Sequence, residues 1–412
     1  MSTDLWPSHI LNTRRAGMAW LLLVVSLLGL SWENLYRPVF LVLSLIGLYQ
    51  FFSYGKEFWA RADSRLLTTL FSSLWVPMVA SLPDAMDLHS GLRTSSRYLI
   101  YYFAGLAFLR LVWSKRATNQ LFLGCVAVIV FWTLDGIYQF IMGENILGYP
   151  MFQGDRLTGM FKGTPDLCFV LAVLSPLYFE AIRRLSVHFS QAWLLLIPLV
   201  LVIMLGGGRA PWLLFGVGAI LYLWLVIRLR ERGFPWLTWV GRVAFILLLA
   251  VMLINREGWL DERVSQILEL ASGDYQKVNA ATSLRIPLWQ ASWHMFTGHW
   301  FNGIGVRNFS TLFLERQPEA LAIYGHPHPH LFVGEIATDT GVLGLLGYSY
   351  FMFLLWRNIA PKAPALSTPW AISVFLASFP LSSTLSFYSL FSSTLLWVLL
   401  LGWLVTKREE TL

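Results

Sequence analysis

Apolar runs of helical length dominate the chain, separated by short polar stretches. The first six are Ala16–Leu30, Pro38–Tyr54, Leu66–Leu82, Leu99–Trp113, Leu121–Met142 and Leu167–Ile182. Ala192–Leu205, Pro211–Ile227 and Val243–Ile254 follow, then Gly341–Trp356, Trp370–Phe387 and Leu390–Thr406. Runs of this length and composition predict about twelve membrane-spanning helices. Pro380 is expected to kink the eleventh. The pattern breaks over residues 255–340, which are too polar to span and too aromatic for a plain linker. Within that insert, Val264–Leu270 and Ser283–Phe296 read as helices, the second with Ser283 as N-cap. The chain therefore divides into residues 1–254 with nine spans, a large loop over 255–340, and residues 341–412 with three spans. No solenoid repeat or low-complexity tract is visible.

Composition agrees with this division. The 412 residues are 56% hydrophobic and only 13% charged, where a soluble domain is roughly a quarter charged. Mean hydropathy is +0.60. The fold class is all-α, a polytopic helical membrane protein. The 20 tryptophans suit many water–lipid interfaces. Cys125 and Cys168 lie in apolar runs and read as small buried hydrophobes. The first run follows Arg14 and Arg15 without a small-x-small cleavage site, so it reads as a retained anchor.

Topology explains much of the net charge of +7. With the N-terminus in the cytoplasm, every inside segment is basic, from Arg14/Arg15 through Arg183/Arg184 to Lys407/Arg408. That places both termini inside and the 255–340 loop outside. Arginines on the outside then need another reason. Arg209, in GGGRAPW, sits between two spans with almost no loop. Gly206–Gly208 bring backbone N–H groups near it, and Pro211 starts a helix whose N-terminus favours an anion. Guanidinium suits paired phosphate oxygens; the plainer reading is snorkelling or an ordinary ion pair. Arg285 opens the helix of the large loop, and on local sequence alone a solvated surface residue is the simpler reading. Arg156 and Lys162 lie in a glycine-rich outer loop, and Arg93 and Arg97 flank the start of the fourth span as substrate contacts or headgroup anchors. Asp135 and Glu180 lie within or at the ends of apolar runs, where acids are expensive and often functional. For Asp135, pairing with an arginine is the favoured reading.

Three of the eight histidines cluster as His326, His328 and His330 in YGHPHPHLFVGEIATDTGVLG, at the boundary between the large loop and the tenth span. Imidazole titrates near neutral pH and accepts a proton from a hydroxyl as Lys or Arg cannot. Pro327 and Pro329 hold the segment extended; a solvated turn is the bland alternative. There is no P-loop, dinucleotide glycine pattern or carboxylate–histidine zinc spacing. A histidine base, several anion-holding arginines and an adjacent lipid boundary fit chemistry on a phosphorylated lipid.

These stretches resemble the O-antigen ligases and related polymerases. His330, Leu331, nine residues and then Gly341-x-x-Gly344 resemble the family's histidine–glycine signature. SLRIPLWQASWHMFTGHWFNGIGVRNF, with Gly303 and Gly305, resembles its arginine-led loop helix and Gly-x-Gly turn. GGGRAPW and RLTGMF resemble its membrane-edge arginine segment and earlier loop. The resemblance covers about residues 150–350 and implies a GT-C-like membrane glycosyltransferase of the bacterial inner membrane with a periplasmic site. It implies a glycan donor on undecaprenyl diphosphate, lipid A–core as acceptor, inversion at the anomeric carbon, and neither metal nor other cofactor. Membrane lipids are expected partners; nucleic acid is not. His330 would activate the acceptor hydroxyl, with His328 the second choice and His326 a third. Arg209 and Arg285 would hold the diphosphate. The family usually carries Asn, Ser or Gln where this chain has Leu331, so a side-chain contact that orients the imidazole is missing or is supplied elsewhere. An O-antigen or exopolysaccharide polymerase is the close alternative, a protein O-glycosyltransferase a third relative, and a lipid-linked glycan transporter a different class.

Overall fold

Apolar runs and their flanks fold as helices whose lengths follow the sequence pattern. The computed structural model describes residues 20–32, 35–112, 114–153, 156–229, 241–242, 265, 268–269, 272–325, 327–359 and 366–411. The helices are α1 (20–28), α2 (Tyr36–Ala60), α3 (Ala62–Ala80), α4 (Leu88–Leu111), α5 (Lys115–Met142), α6 (Asp166–Leu185), α7 (Leu196–Leu205) and α8 (Arg209–Leu229). The large loop contributes α9 (Tyr275–Ala281), α10 (Ile286–Gly298), α11 (Phe309–Arg316) and α12 (Ala320–Tyr324), and α13 (Phe332–Arg357), α14 (Ser367–Ala377) and α15 (Leu390–Thr411) follow. Among the described residues no strand forms, and four helices are long and apolar enough to cross a membrane: Tyr36–Ala60, Ala62–Asp84, Lys115–Met142 and Leu390–Arg408. Val243–Ile254, His326, most of Val264–Leu270 and the first residues of Ala16–Leu30 lie outside the described residues.

The helices pack with polar ties across an apolar interior. α2 lies along α4, α13 along α3, α14 along α15, and α6 along α8. Trp397 and Trp403 of α15 and Tyr98 and Tyr101 of α4 are fully buried. Tyr101 shares a 2.7 Å hydrogen bond with Thr394, and Ser393 donates to Tyr98 at 3.3 Å. Such interhelical bonds satisfy hydroxyls that an apolar surround cannot. Cys125 and Cys168 are free and buried, as expected.

The two ends of the bundle differ. At one end, buried Glu180 accepts from Arg183 at 2.5 Å, Arg184 at 2.9 Å and Tyr222 at 2.8 Å. Asp63 pairs there with Arg61 at 2.6 Å and Arg408 at 3.3 Å. The loop helices and the histidines occupy the other end, where α3, α15 and α6 turn into loop residues. Asp135 departs from expectation: its Oδ1 accepts the Ile146 N–H at 3.1 Å, and no arginine pairs with it among the described residues. A backbone donor from the following loop serves where a cation was expected.

Two helix boundaries also move. The eleventh run does not continue through a kink at Pro380. α14 stops at Ala377, and residues 378–389 are turns and irregular backbone. Proline lacks the N–H and its ring opposes the preceding turn, and here the freed backbone is used elsewhere. The tenth run begins early: α13 starts at Phe332, nine residues before the apolar run, and bends at Gly341.

Candidate functional site

Leu331 precedes α13 and gives it no side-chain cap, so the first-turn N–H groups need other acceptors. The irregular 378–389 segment supplies them. Phe332 N donates to Ser382 O at 3.1 Å, and Val333 N to Pro380 O at 3.1 Å. The same segment reaches the residue just before the helix, where His330 Nδ1 lies 3.1 Å from Ser383 O. A carbonyl only accepts, so Nδ1 carries the hydrogen and Nε2 the lone pair. The contact missing at Leu331 thus comes from a backbone carbonyl fifty-three positions downstream. His330 holds a positive φ of 49°, an unusual conformation for a side-chain-bearing residue. The His328 ring packs against it, tilted by 38°, with ring centroids 3.7 Å apart.

Burial, reinforced by the positive charge of Arg285, pushes the His330 imidazole down to about 4; the Ser383 carbonyl opposes the shift. At neutral pH the ring is therefore uncharged and available as a base. Arg285 precedes α10, and its own basicity is lowered by burial and by Arg209 nearby. Ser283 does not cap α10, contrary to the sequence reading. Ser283 and Leu284 take positive φ values of 59° and 61°, and the helix starts only at Ile286 behind Arg285. Ser283 Oγ is instead the acceptor for Arg209 Nη2 at 3.0 Å.

Arg156, Arg209 and Arg285 line one cavity of about 420 Å³, together with Ser283, Trp289 and Ser383. Arg209 is the first residue of α8, so the positive end of that helix also faces the cavity, beside Gly206–Gly208. His330 does not itself line the cavity; it is tied to two lining residues, to Ser383 directly and to Trp289 through Pro329, whose carbonyl accepts the indole N–H at 3.0 Å. Three cations separated by as many as 129 positions meet beside a neutral imidazole. Such a cavity can hold a multiply charged oxyanion while a base sits at its edge.

Lys162 is not part of this wall. It is exposed and lies over the Tyr149 ring at 5.5 Å. Arg93 and Arg97 line a second cavity, with Arg37 and Arg307.

Glycines lock the loop to α13. The bend at Gly341 (φ 63°) breaks the helical ladder, and loop carbonyls replace the lost acceptors: Val342 N donates to Trp300 O at 2.8 Å and Leu343 N to Phe301 O at 3.1 Å. In return Ile304 N donates to Thr338 O at 3.0 Å and Gly305 N to Asp339 O at 3.1 Å. At this crossing a Cβ on Gly341 would sit 2.4 Å from Phe301 O, and one on Gly303 would sit 2.4 Å from the Asp339 carbonyl. A Cβ on Gly344 would meet the Thr340 hydroxyl.

A buried acidic network, missed in the sequence, holds the same parts together. Glu335 accepts from Ser386 Oγ at 2.5 Å and from Phe387 N at 2.8 Å, pinning the 378–389 segment to α13. Asp339, one turn on, accepts the Arg307 backbone N–H at 2.8 Å. Burial raises both carboxyls, Asp339 well above the usual carboxylate range with Glu335 adding to it. An acid in the first turn of a helix beginning after Pro329 was the available signal; starting the span at Gly341 concealed it.

No curated protein matches the sequence. The model of a known family, described as O-antigen ligase, matches residues 194–349. The matched stretch, less than half of the chain, includes Arg209, Arg285, His328, His330, Gly341 and Gly344, and over it the chain is similar to the O-antigen ligase family.

Proposed function

We propose that the protein is an O-antigen ligase, moving a glycan from undecaprenyl diphosphate to a sugar hydroxyl of lipid A–core. The observation that carries this reading is the neutral His330, fixed at Nδ1 by Ser383 O, beside a cavity lined by Arg156, Arg209 and Arg285. In the reaction the acceptor hydroxyl oxygen attacks the anomeric carbon. The new glycosidic C–O bond forms as the bond from the anomeric carbon to the phosphate oxygen breaks. The electron pair leaves with the diphosphate, and the hydroxyl proton passes to His330 Nε2. Arg209 and Arg285 stabilise the charge that grows on the leaving group; Arg156 adds a third cation. His330 is favoured over His328 because the carbonyl fixes its tautomer.

The wider proposal keeps about twelve spans in a GT-C-like arrangement, divided at residues 254 and 340. Both termini are cytoplasmic and the site is periplasmic at the inner membrane. The basic pattern of the inside segments supports that orientation.

The test is complementation of a ligase-null cell with wild type or His330→Ala at matched expression. A glycan ladder on lipid A–core with wild type, lost in the variant while carrier-linked glycan accumulates, is the expected result. A ladder that survives His330→Ala sinks the base assignment. Rescue of a polymerase-null cell, with no ladder in the ligase-null cell, would replace this reading by the polymerase.

A further inference from the structure

The second cavity, of about 560 Å³, lies between the outer parts of α2 and α4. Four arginines from three separate stretches line it: Arg37 from α2, Arg93 and Arg97 from α4, and Arg307 from the large loop. No carboxylate is among its described lining residues. Among the described residues, Arg97 Nη2 donates to Thr94 Oγ1 at 3.2 Å, and Arg307 Nη1 to Ser386 Oγ at 2.7 Å, a hydroxyl that in turn donates to Glu335. About one helical turn along from Arg37 and Arg97 the lining becomes apolar, with Phe40, Leu41 and Ile100, joined by Leu390. Leu41 is exposed on α2, a helix of membrane-crossing length. A cationic rim above an apolar wall matches a lipid with phosphate on its headgroup.

Placement of Arg307 is a built feature. It takes a φ of 67° in the turn after Gly305, and Asp339 of α13 accepts its backbone N–H. Its side chain then reaches Ser386, in the segment whose Ser383 holds His330. The two arginine cavities therefore flank one short segment, with the imidazole attached to it.

We infer that the second cavity binds the phosphate group of the acceptor amphiphile, with Arg93, Arg97 and Arg307 as its donors, while the first cavity takes the donor's diphosphate. This rests on the ligase reading for the word acceptor, but the binding chemistry does not. One transferase then holds two phosphorylated lipids on two separate sets of arginines.

The test is binding without turnover. The full chain carrying His330→Ala is placed in phosphatidylcholine nanodiscs and titrated with lipid A–core, native or stripped of its phosphates by phosphatase. The native form is expected to bind at least about tenfold more tightly. Arg93→Gln/Arg97→Gln, or Arg307→Gln alone should the double variant not fold, removes that preference. Weak competition by inorganic phosphate is expected. No preference for the native form, or one that survives both variants, overturns the inference. Equal competition by phosphatidylglycerol also overturns it and makes these arginines general headgroup anchors. Phosphate-dependent binding in a protein whose wild type makes no ladder leaves this site standing and removes the ligase reading; a ladder without that preference does the reverse.

Discussion

The bundle uses arginine in opposite ways at its two ends. At the Glu180 end, Arg183 and Arg184 share one buried carboxylate, and Asp63 serves Arg61 and Arg408. At the His330 end, Arg97 bonds the Thr94 hydroxyl, and Arg307 reaches Glu335 only through the Ser386 hydroxyl that lies between them. A carboxylate neutralises a guanidinium; a hydroxyl orients it and leaves its charge in place. The first arrangement builds a protein, and the second is what the proposed anion sites require. Like-charged residues in one cavity have no structural advantage, since Arg209 already lowers the basicity of Arg285.

Four substitutions and one change of condition test this contrast. The largest effect is expected from His330→Ala, a fall in transfer of about 10²–10⁴-fold with the fold retained. Transfer rates beside circular dichroism of the purified protein check it. Arg209→Ala and Arg285→Ala should each cost about 10²-fold or more in transfer rate, with little change in thermal stability; unchanged kinetics in the double variant would break the diphosphate assignment. At the other end the order reverses. Glu180→Gln should cost about 2–4 kcal/mol of stability by leaving two guanidiniums beside a neutral amide, while the folded fraction transfers glycan at the wild-type rate. Denaturant titration in detergent measures the first, and active-site-normalised rates the second.

The smallest effect is on the pH profile. An imidazole depressed to about 4 is neutral and competent above that pH and protonated below it. The acidic limb of kcat/KM, which reports the free enzyme, is therefore expected near pH 4 and not near the ordinary 6.5. Bound diphosphate offsets the charge of Arg285, so the acidic limb of kcat moves to higher pH. Coincident limbs would mean that the first cavity does not hold the anion. The same shift enters stability with a definite sign. The unfolded histidine binds a proton below about 6.5, and the folded one resists it, so stability falls as pH drops from there toward 4.

Much of this end was legible from residue types. Arg209 stood out because charge in a turn between two apolar runs is costly without a partner. His330 stood out by its count from Gly341. What stayed hidden was carried by backbone. The Ser383 carbonyl fixes the imidazole, and carbonyls carry no sequence signature. Residues 378–389 passed for part of a span because Phe379, Leu381, Leu385 and Phe387 are as apolar as any helix. Glu335 and Asp339 were overlooked for the related reason that α13 starts in polar sequence, so apolar content marks its membrane part and not its first residue. Glu180 shows the converse: an intramembrane acid that looked functional is a structural partner of two arginines.

The start of α13 at Phe332 also gives the histidine–glycine spacing a meaning as a ruler. Gly341 is anchored against Phe301, and His330 is carried at the far end of about two and a half turns of helix. One residue added between them would swing the imidazole by roughly 100° about the helix axis and shift it by about 1.5 Å. An addition of the same size elsewhere in the large loop would be absorbed by turns. Length in this one stretch is thus an angular setting of the imidazole relative to the two arginine cavities, so it is expected to tolerate substitution far better than insertion.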